Sequence, residues 1–527
     1  MKRSIKYQKI EVRDNISFMP RLTDYTSYKD AHKFFTKEAL WDLFDGDKDN
    51  LNIAYECIDR HEPNRIAINI ATDTGEDQTI TFGDLSTWSN RVANWLQTKE
   101  YRAGDRVAIM LEPSLEFYAA LFGIMKAGYV AVPLFTAFGP DGLNARLKDC
   151  EPVLVILDPK KSELASDTDT ETLIADDDFL SDLEAYNNTY VTSTTSADMA
   201  MYQYTSGTSR ELPEAVKHRH RAVVTVMIAA LYATGVRPGD KYMCPSSPAW
   251  GHGLWHGTLA PLALGVEIST YAGKFDPEKL LAAMEKFKIT NLSAAATHYR
   301  LMRNISNPKK HSLRLKKLSF TGEPLDTETA LWARQIFGHD VCSIYGSTEV
   351  GVIIANYPGA DDLPVKVGSL GKPLPGCDVS IQNPQGKACS VGEIGEILLW
   401  RKNSFFRVKD LGSIDEDGYY FHHGRADDVI ISAGWTMSAV EIEDVLLKHP
   451  DIAEAAVIGV PDTERGQIVK AFIVSKRSES KEFISEVQSF VRNRLSRHEY
   501  PRIIVIVDEL PKTPAGKVNR KTLRDQQ

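Results

Sequence analysis

The sequence predicts an α/β protein in two parts: a large N-terminal domain of layered α/β units and a small C-terminal α+β domain, with the active site at their interface. Three observations carry this expectation. The chain has 527 residues, whereas single hydrophobic cores stop growing at roughly 250–300 residues. From Asp105 onward, short apolar runs alternate with stretches of helical period. Near Arg425 that pattern changes, and the roughly one hundred residues that follow suffice for a small domain.

The elements follow in order. DRVAIML, from Asp105, reads as a buried strand, and SLEFYAALFGIMKAG, from Ser114, as an amphipathic helix. YVAVPLF from Tyr129 is a second strand, GPDGLNARLKDCEP from Gly139 a second helix, and VLVILD from Val153 a third strand. Such alternation indicates β-α-β units on a parallel sheet. Between Ser162 and Ala200 the chain turns acidic and rich in Ser and Thr, which predicts a solvated excursion with a short helix. The run AVVTVMIAALYATGV from Ala222 falls short of the ~18–20 residues that span a bilayer and reads as a buried helix. Toward the C-terminus, VEIEDVLLKHP and SKEFISEVQSFVRNRL read as helices, and IAEAAVIGVPD, VKAFIVS and RIIVIVDELP as strands. The segment GRADDVIISAG lies between the two parts, where a hinge belongs, and divides the chain into domains 1–426 and 427–527.

Bulk composition excludes several classes. The chain is 43% hydrophobic and 25% charged, with net charge −9, so it lacks the basic footprint of a nucleic-acid or anionic-membrane binder. The six cysteines are scattered without a CxxC pair, against both a disulfide framework and a zinc site. Reduced thiols of a cytoplasmic protein are expected instead. The N-terminus has no apolar core of a signal peptide.

TSGTSRELPEAVKHRH, from Thr205, begins like a phosphate-binding loop. Small residues let the backbone approach oxyanions while the hydroxyls of Thr205, Ser206 and Thr208, around Gly207, donate. The pattern GxxxxGK[ST] is absent, which disfavours an ordinary P-loop nucleotidase or kinase. Four further stretches matter in combination: SFTGEPL from Ser319, SIYGSTEVG from Ser343, KDLGSIDEDGYYFHHGRADDVI from Lys409 and PKTPAGKVNRKTLR from Pro511. Each alone reads as a cap, a turn or a solvated lysine. In this order they resemble the adenylate-forming superfamily over nearly the whole chain, and most closely its acyl-CoA synthetases of medium-chain or aryl type.

That resemblance implies roles. Gly322, Glu323 and Pro324 would lie against adenine, with Tyr345, followed by Gly346 and Ser347, stacking on the base. Thr348 would contact the α-phosphate and Glu349 would ligate Mg²⁺. Asp410 and Arg425 would hold the ribose, Lys517 would reach the acyl carboxylate and phosphate, and Asp427 would be the hinge of a mobile C-terminal domain. CoA would enter near Ser432, Ala433 and Gly434. Trp250, Gly251, His252, Gly253 and Ser347 would line the acyl site. The family's acetate-restricted members carry Trp at the Ser347 position, so Ser347 implies an acid larger than acetate: medium-chain, branched or aryl. His252 would either meet a polar substituent or be satisfied within the core. The implied activity is thioester formation from a carboxylic acid, ATP and CoA, with no nucleic-acid partner and no membrane span, and with homo-oligomerisation left open. Two other readings stand beside it: an adenylating enzyme that loads a carrier protein in trans, and a non-catalytic nucleotide-binding regulator.

Three departures from the family pattern bear on phosphate charge. The loop is one residue longer before Pro213, with Arg210 near the family's Gly and Glu214 in place of its Lys. Thr436 stands where an Arg is common, and Val408 and Lys409 replace the Thr and Gly before Asp410. Arg210 and Lys217 are the candidates to supply the missing charge.

Overall fold

The computed structural model describes residues 20–168, 170–204, 214–347, 350–425, 430–432, 435–437, 439–462, 466–495, 500–513 and 516–526. Val107, Ala108, Ile109 and Met110 are completely buried, as a strand covered on both faces by helices must be. Their strand, Arg106–Met110, belongs to a six-stranded sheet ordered Thr172–Ile174, Leu154–Leu157, Arg106–Met110, Val130–Pro133, Met199–Gln203, Val216–Arg219. Neighbours run parallel up to Met199–Gln203, and Val216–Arg219 closes the edge antiparallel. The expected helices are Leu115–Lys126 and Pro140–Cys150. Ser114 caps the first by accepting from the Phe117 amide, and Pro140 opens the second. The acidic excursion holds the short helix Phe179–Leu183. It also contributes the edge strand Thr172–Ile174, whose polar surroundings hid it in the sequence.

A second sheet follows a path of thirteen strands among the described residues. Its parallel middle comprises Ile66–Thr72, Glu267–Ala272, Lys241–Met243, Asn291–Ala295, Lys317–Thr321 and Val341–Ser347. Beyond Val341–Ser347 it turns antiparallel through Gly351–Ala355, Ser369–Pro373, Tyr420–Arg425 and Ser404–Ile414. Gly322 to Pro324 therefore follow the carboxyl end of one parallel strand, and Gly346 and Ser347 end the next. Crevices at such strand ends are where α/β sheets bind ligands. The apolar run from Ala222 is the helix Ala222–Tyr232, with Val223, Met227, Ala230 and Leu231 buried. No helix among the described residues is long and apolar enough to cross a membrane.

The C-terminal region has the elements its sequence predicts. Helices Ala439–Leu447 and Lys481–Arg494 pack on antiparallel strands Ile452–Asp462 and Gly466–Ser475, with Ile503–Ile506 added parallel to the latter. Ile442, Leu446, Val457, Ile473, Phe483 and Val487 form its own core. This region docks on the larger one through Asp444, whose Oδ1 accepts from the Thr327 amide at 3.2 Å. The expected boundary and the hinge at Asp427 lie outside the described residues.

Candidate active site

A cavity of ≈ 2150 Å³ opens between the two regions and is lined from both. Lys517 enters it from the C-terminal turn. The turn is closed by hydrogen bonds from the Thr513 amide to the Lys517 carbonyl at 2.7 Å and from the Lys517 amide to Thr513 Oγ1 at 3.2 Å. The Lys517 ammonium lies 5.4 Å from the ring centre of Trp250, within cation–π range. Gly322 sits between them at φ +101°, and a Cβ there would come 3.1 Å from Trp250 and 3.6 Å from the Lys517 side chain. Only glycine combines that backbone conformation with that clearance. Burial lowers the Lys517 pKa, and Glu323 and Asp410 oppose the effect without cancelling it. The ammonium is therefore desolvated and faces two carboxylates, a charge placed to meet an incoming anion.

Glu323 is fixed from below. Its Oε1 accepts from Thr297 Oγ1 and from Arg300 Nη1, each at 2.6 Å. Arg300 also reaches Asp326 at 3.2 Å and the Pro324 carbonyl at 2.6 Å, so it ties the whole Gly322–Pro324 turn to the helix Ala296–Arg303. Burial alone would raise the Glu323 pKa, but Arg300 and Thr297 outweigh it and hold the carboxyl below its ordinary value.

On the opposite side Tyr345, 9% exposed, donates its hydroxyl to Asp410 Oδ2 at 2.6 Å. His422 Nε2 lies 3.9 Å from the same oxygen. The backbones of Asp410 and Arg425 are paired across adjacent strands, which brings the two expected ribose partners into register. Lys409, where the family pattern has Gly, holds φ +66°, a left-handed conformation that costs a non-glycine residue about 1–2 kcal/mol. The departure read as a charge change is thus also a conformational one. Lys409→Gly is expected to raise stability by about 0.5–1 kcal/mol, read from the urea midpoint; no change would mean that the strain is relieved elsewhere.

Trp250, Gly251, His252, Gly346 and Ser347 line the same cavity. His252 begins the π-helical segment His252–Leu259, a wide-turned element often found at functional sites. Its two ring nitrogens lie 3.0 Å from Ser246 Oγ and 2.8 Å from Ser293 Oγ. Burial, followed by His256, His298 and Lys517, holds it neutral, well below the usual histidine range. Of the two expectations for His252, the structure thus favours a histidine satisfied within the protein. Gly253 has no room for a side chain, because the carbonyls of Ser246 and Ser247 stand where its Cβ would be. A Cβ on Gly346 would collide with the Gly351 carbonyl of the paired strand, so this position is glycine for packing as well as for openness.

Thr205, Ser206, Gly207, Thr208, Arg210, Thr348, Glu349, Asp427, Ala433 and Gly434 lie outside the described residues. Ser432 is described as part of the strand Ile430–Ser432, opposite Trp435 and Gly466. Lys217, the other candidate for the missing charge, lines the cavity with its ammonium 4.9 Å from the Tyr202 ring centre. The sequence reading passed over Thr297, Arg300, Gln203 and Trp255. None belongs to a motif, and their partners are distant in sequence; only the amphipathic period of Ala296–Arg303 hinted that Arg300 faces outward from that helix.

Residues 56–406 match the family model described as AMP-binding enzyme, and residues 441–517 the one described as AMP-binding enzyme C-terminal domain. The chain is 31% identical over 546 residues to the acetyl-coenzyme A synthetase of Bacillus subtilis, covering 94% of each chain. It is also 31% identical over 490 residues to 4-hydroxybutyrate–CoA ligase 1 of Metallosphaera sedula, covering 86% of each. Among solved structures, the Brucella canis acyl-CoA synthetase is similar with a TM-score of 0.75 and 31% identity, covering 95% of this chain and 99% of that one.

Proposed function

The chain belongs to the AMP-binding enzyme family and is an adenylate-forming acid–thiol ligase of the acyl-CoA synthetase type, and we propose that it joins a carboxylic acid larger than acetate to CoA through an acyl-adenylate. One observation carries the reading: Lys517 from the small domain meets Gly322, Trp250 and Asp410 of the large one in a single cavity. A carboxylate attacking ATP approaches a polyanion, so preorganised cations and donors dominate the barrier. Lys517 would offset charge on the acyl carboxylate and the α-phosphate. Tyr345 and the Gly322–Pro324 turn would hold adenine, and Asp410 with Arg425 the ribose. The loop residues Thr205, Ser206, Gly207 and Thr208 would bind phosphate through hydroxyls and backbone N–H groups. The family resemblance assigns Mg²⁺ to Glu349, in keeping with a hard cation that takes one or two carboxylates beside phosphate oxygens. The metal would neutralise phosphate charge. In the second half-reaction a turn of the small domain about Asp427 would withdraw Lys517 and bring Ser432, Ala433 and Gly434 to the site. The CoA thiol, with pKa near ~8.5, would attack without a dedicated base.

The desolvated ammonium has a pH signature. Adenylation requires it protonated, and its pKa lies below the ordinary 10.5. kcat/KM for adenylation is therefore expected to fall on an alkaline limb below 10.5, since this parameter reports the free enzyme. A limb at or above that value would contradict the placement of Lys517.

The size of the acid rests on Ser347, a small side chain at the cavity wall. Ser347→Trp would overfill the space at roughly 1–3 kcal/mol, about 5- to 150-fold in binding. The loss should fall on larger acids and spare acetate and propionate. The same size profile of kcat/KM in mutant and wild type, or a wild type that prefers acetate, would overturn this assignment.

A further inference from the structure

Gln203 is 2% exposed and lines the cavity beside Gly251. One bond orients its carboxamide: Trp255 Nε1 donates to Oε1 at 2.8 Å. An indole N–H can only donate, so the amide oxygen must face Trp255 and the NH₂ must face the other way. There Nε2 lies 2.6 Å from the point a Cβ on Gly251 would occupy, and it has no hydrogen-bond partner among the described residues. The residue is almost fully buried yet lines the cavity, so this N–H sits where a ligand can supply its acceptor.

Two neighbours share the character. His218 and His256 line the same cavity, and the His218 ring centre lies 4.8 Å from that of Trp255. His218 Nε2 and His256 Nδ1 are buried without a hydrogen-bond partner among the described residues. Burial holds both imidazoles down at about 4, so each is neutral near pH 7, with one donor and one acceptor nitrogen. The cations nearby, Lys217, Arg219 and Arg221, have exposed side chains. Gln203, His218 and His256 therefore offer hydrogen bonds without charge, while the Lys517 ammonium lies 5.4 Å from the ring centre of Trp250.

We propose that Gln203 is a specificity residue of the acyl site and that the preferred acid carries a neutral oxygen on its chain, a hydroxyl or keto group, which accepts the Gln203 amide N–H. The inference rests on the acid–CoA ligase reading above. Its test is kcat/KM for straight-chain acids of four to six carbons, each beside its hydroxy- and oxo-substituted counterparts and the dicarboxylic acid of equal length. Wild type should prefer the oxygenated acids by about 10-fold or more, because a site built to bond an oxygen rejects the analogue that lacks it. Gln203→Met should shrink that preference to within about 3-fold, through loss on the oxygenated acids. Gln203→Glu keeps an acceptor for Trp255 but removes the donor, and should do the same if the Met variant folds poorly. Equal use of plain and oxygenated acids by wild type, a preference for dicarboxylic acids, or an unchanged ratio in a folded Gln203 variant would each overturn the proposal while leaving the ligase reading intact. Failure of every acid to yield a CoA thioester would overturn both.

Discussion

Lys517→Ala is expected to lower acyl-adenylate formation by about 100- to 1000-fold or more, the usual cost of removing one preorganised electrostatic group. Thioester formation from supplied acyl-adenylate should survive largely intact. The difference follows from position: the ammonium reaches the cavity beside Trp250 and Gly322 and faces Glu323 and Asp410, and in the proposed reaction it would act where charge develops as pyrophosphate leaves. In the second half-reaction that charge has already gone. Separate half-reaction assays decide the matter, and equal damage to both steps would remove Lys517 from its assigned role.

Arg300→Ala should produce the second large effect. Arg300 bonds Glu323, Asp326 and the Pro324 carbonyl, so its removal leaves Glu323 with Thr297 as its remaining described hydrogen-bond donor. Breaking a fully buried pair costs ~3–5 kcal/mol, because a charge is stranded. The Arg300 side chain is 26% exposed, so water offsets part of this, and a loss of about 2–4 kcal/mol is expected. KM for ATP should rise as the Gly322–Pro324 turn loosens. A urea midpoint within error of wild type, with unchanged KM, would show that the turn holds itself.

Much of this site was legible in the sequence because its parts sit at strand ends, where short motifs survive as contiguous strings. The β-α-β units after Asp105 could be read from period alone, since apolar strands and amphipathic helices differ in their repeat. Pairings between distant segments could not. Tyr345 meets Asp410 from 65 positions away and Gln203 meets Trp255 from 52, and nothing in either local pattern announces the partner. The thirteen-strand path was hidden for the same reason: periodicity identifies a strand but not its neighbours. Lys409 shows a different limit. A Gly-to-Lys difference reads as added charge, whereas the backbone shows that the position demands a left-handed residue.

The most direct test of the central claim is product analysis of the purified protein with ATP, Mg²⁺, CoA and a panel of carboxylic acids. The account predicts AMP, pyrophosphate and acyl-CoA in equal amounts, with acid-dependent ATP–pyrophosphate exchange persisting when CoA is left out. Release of ADP and phosphate, or acid-dependent exchange that never yields a CoA thioester with any acid, would contradict it.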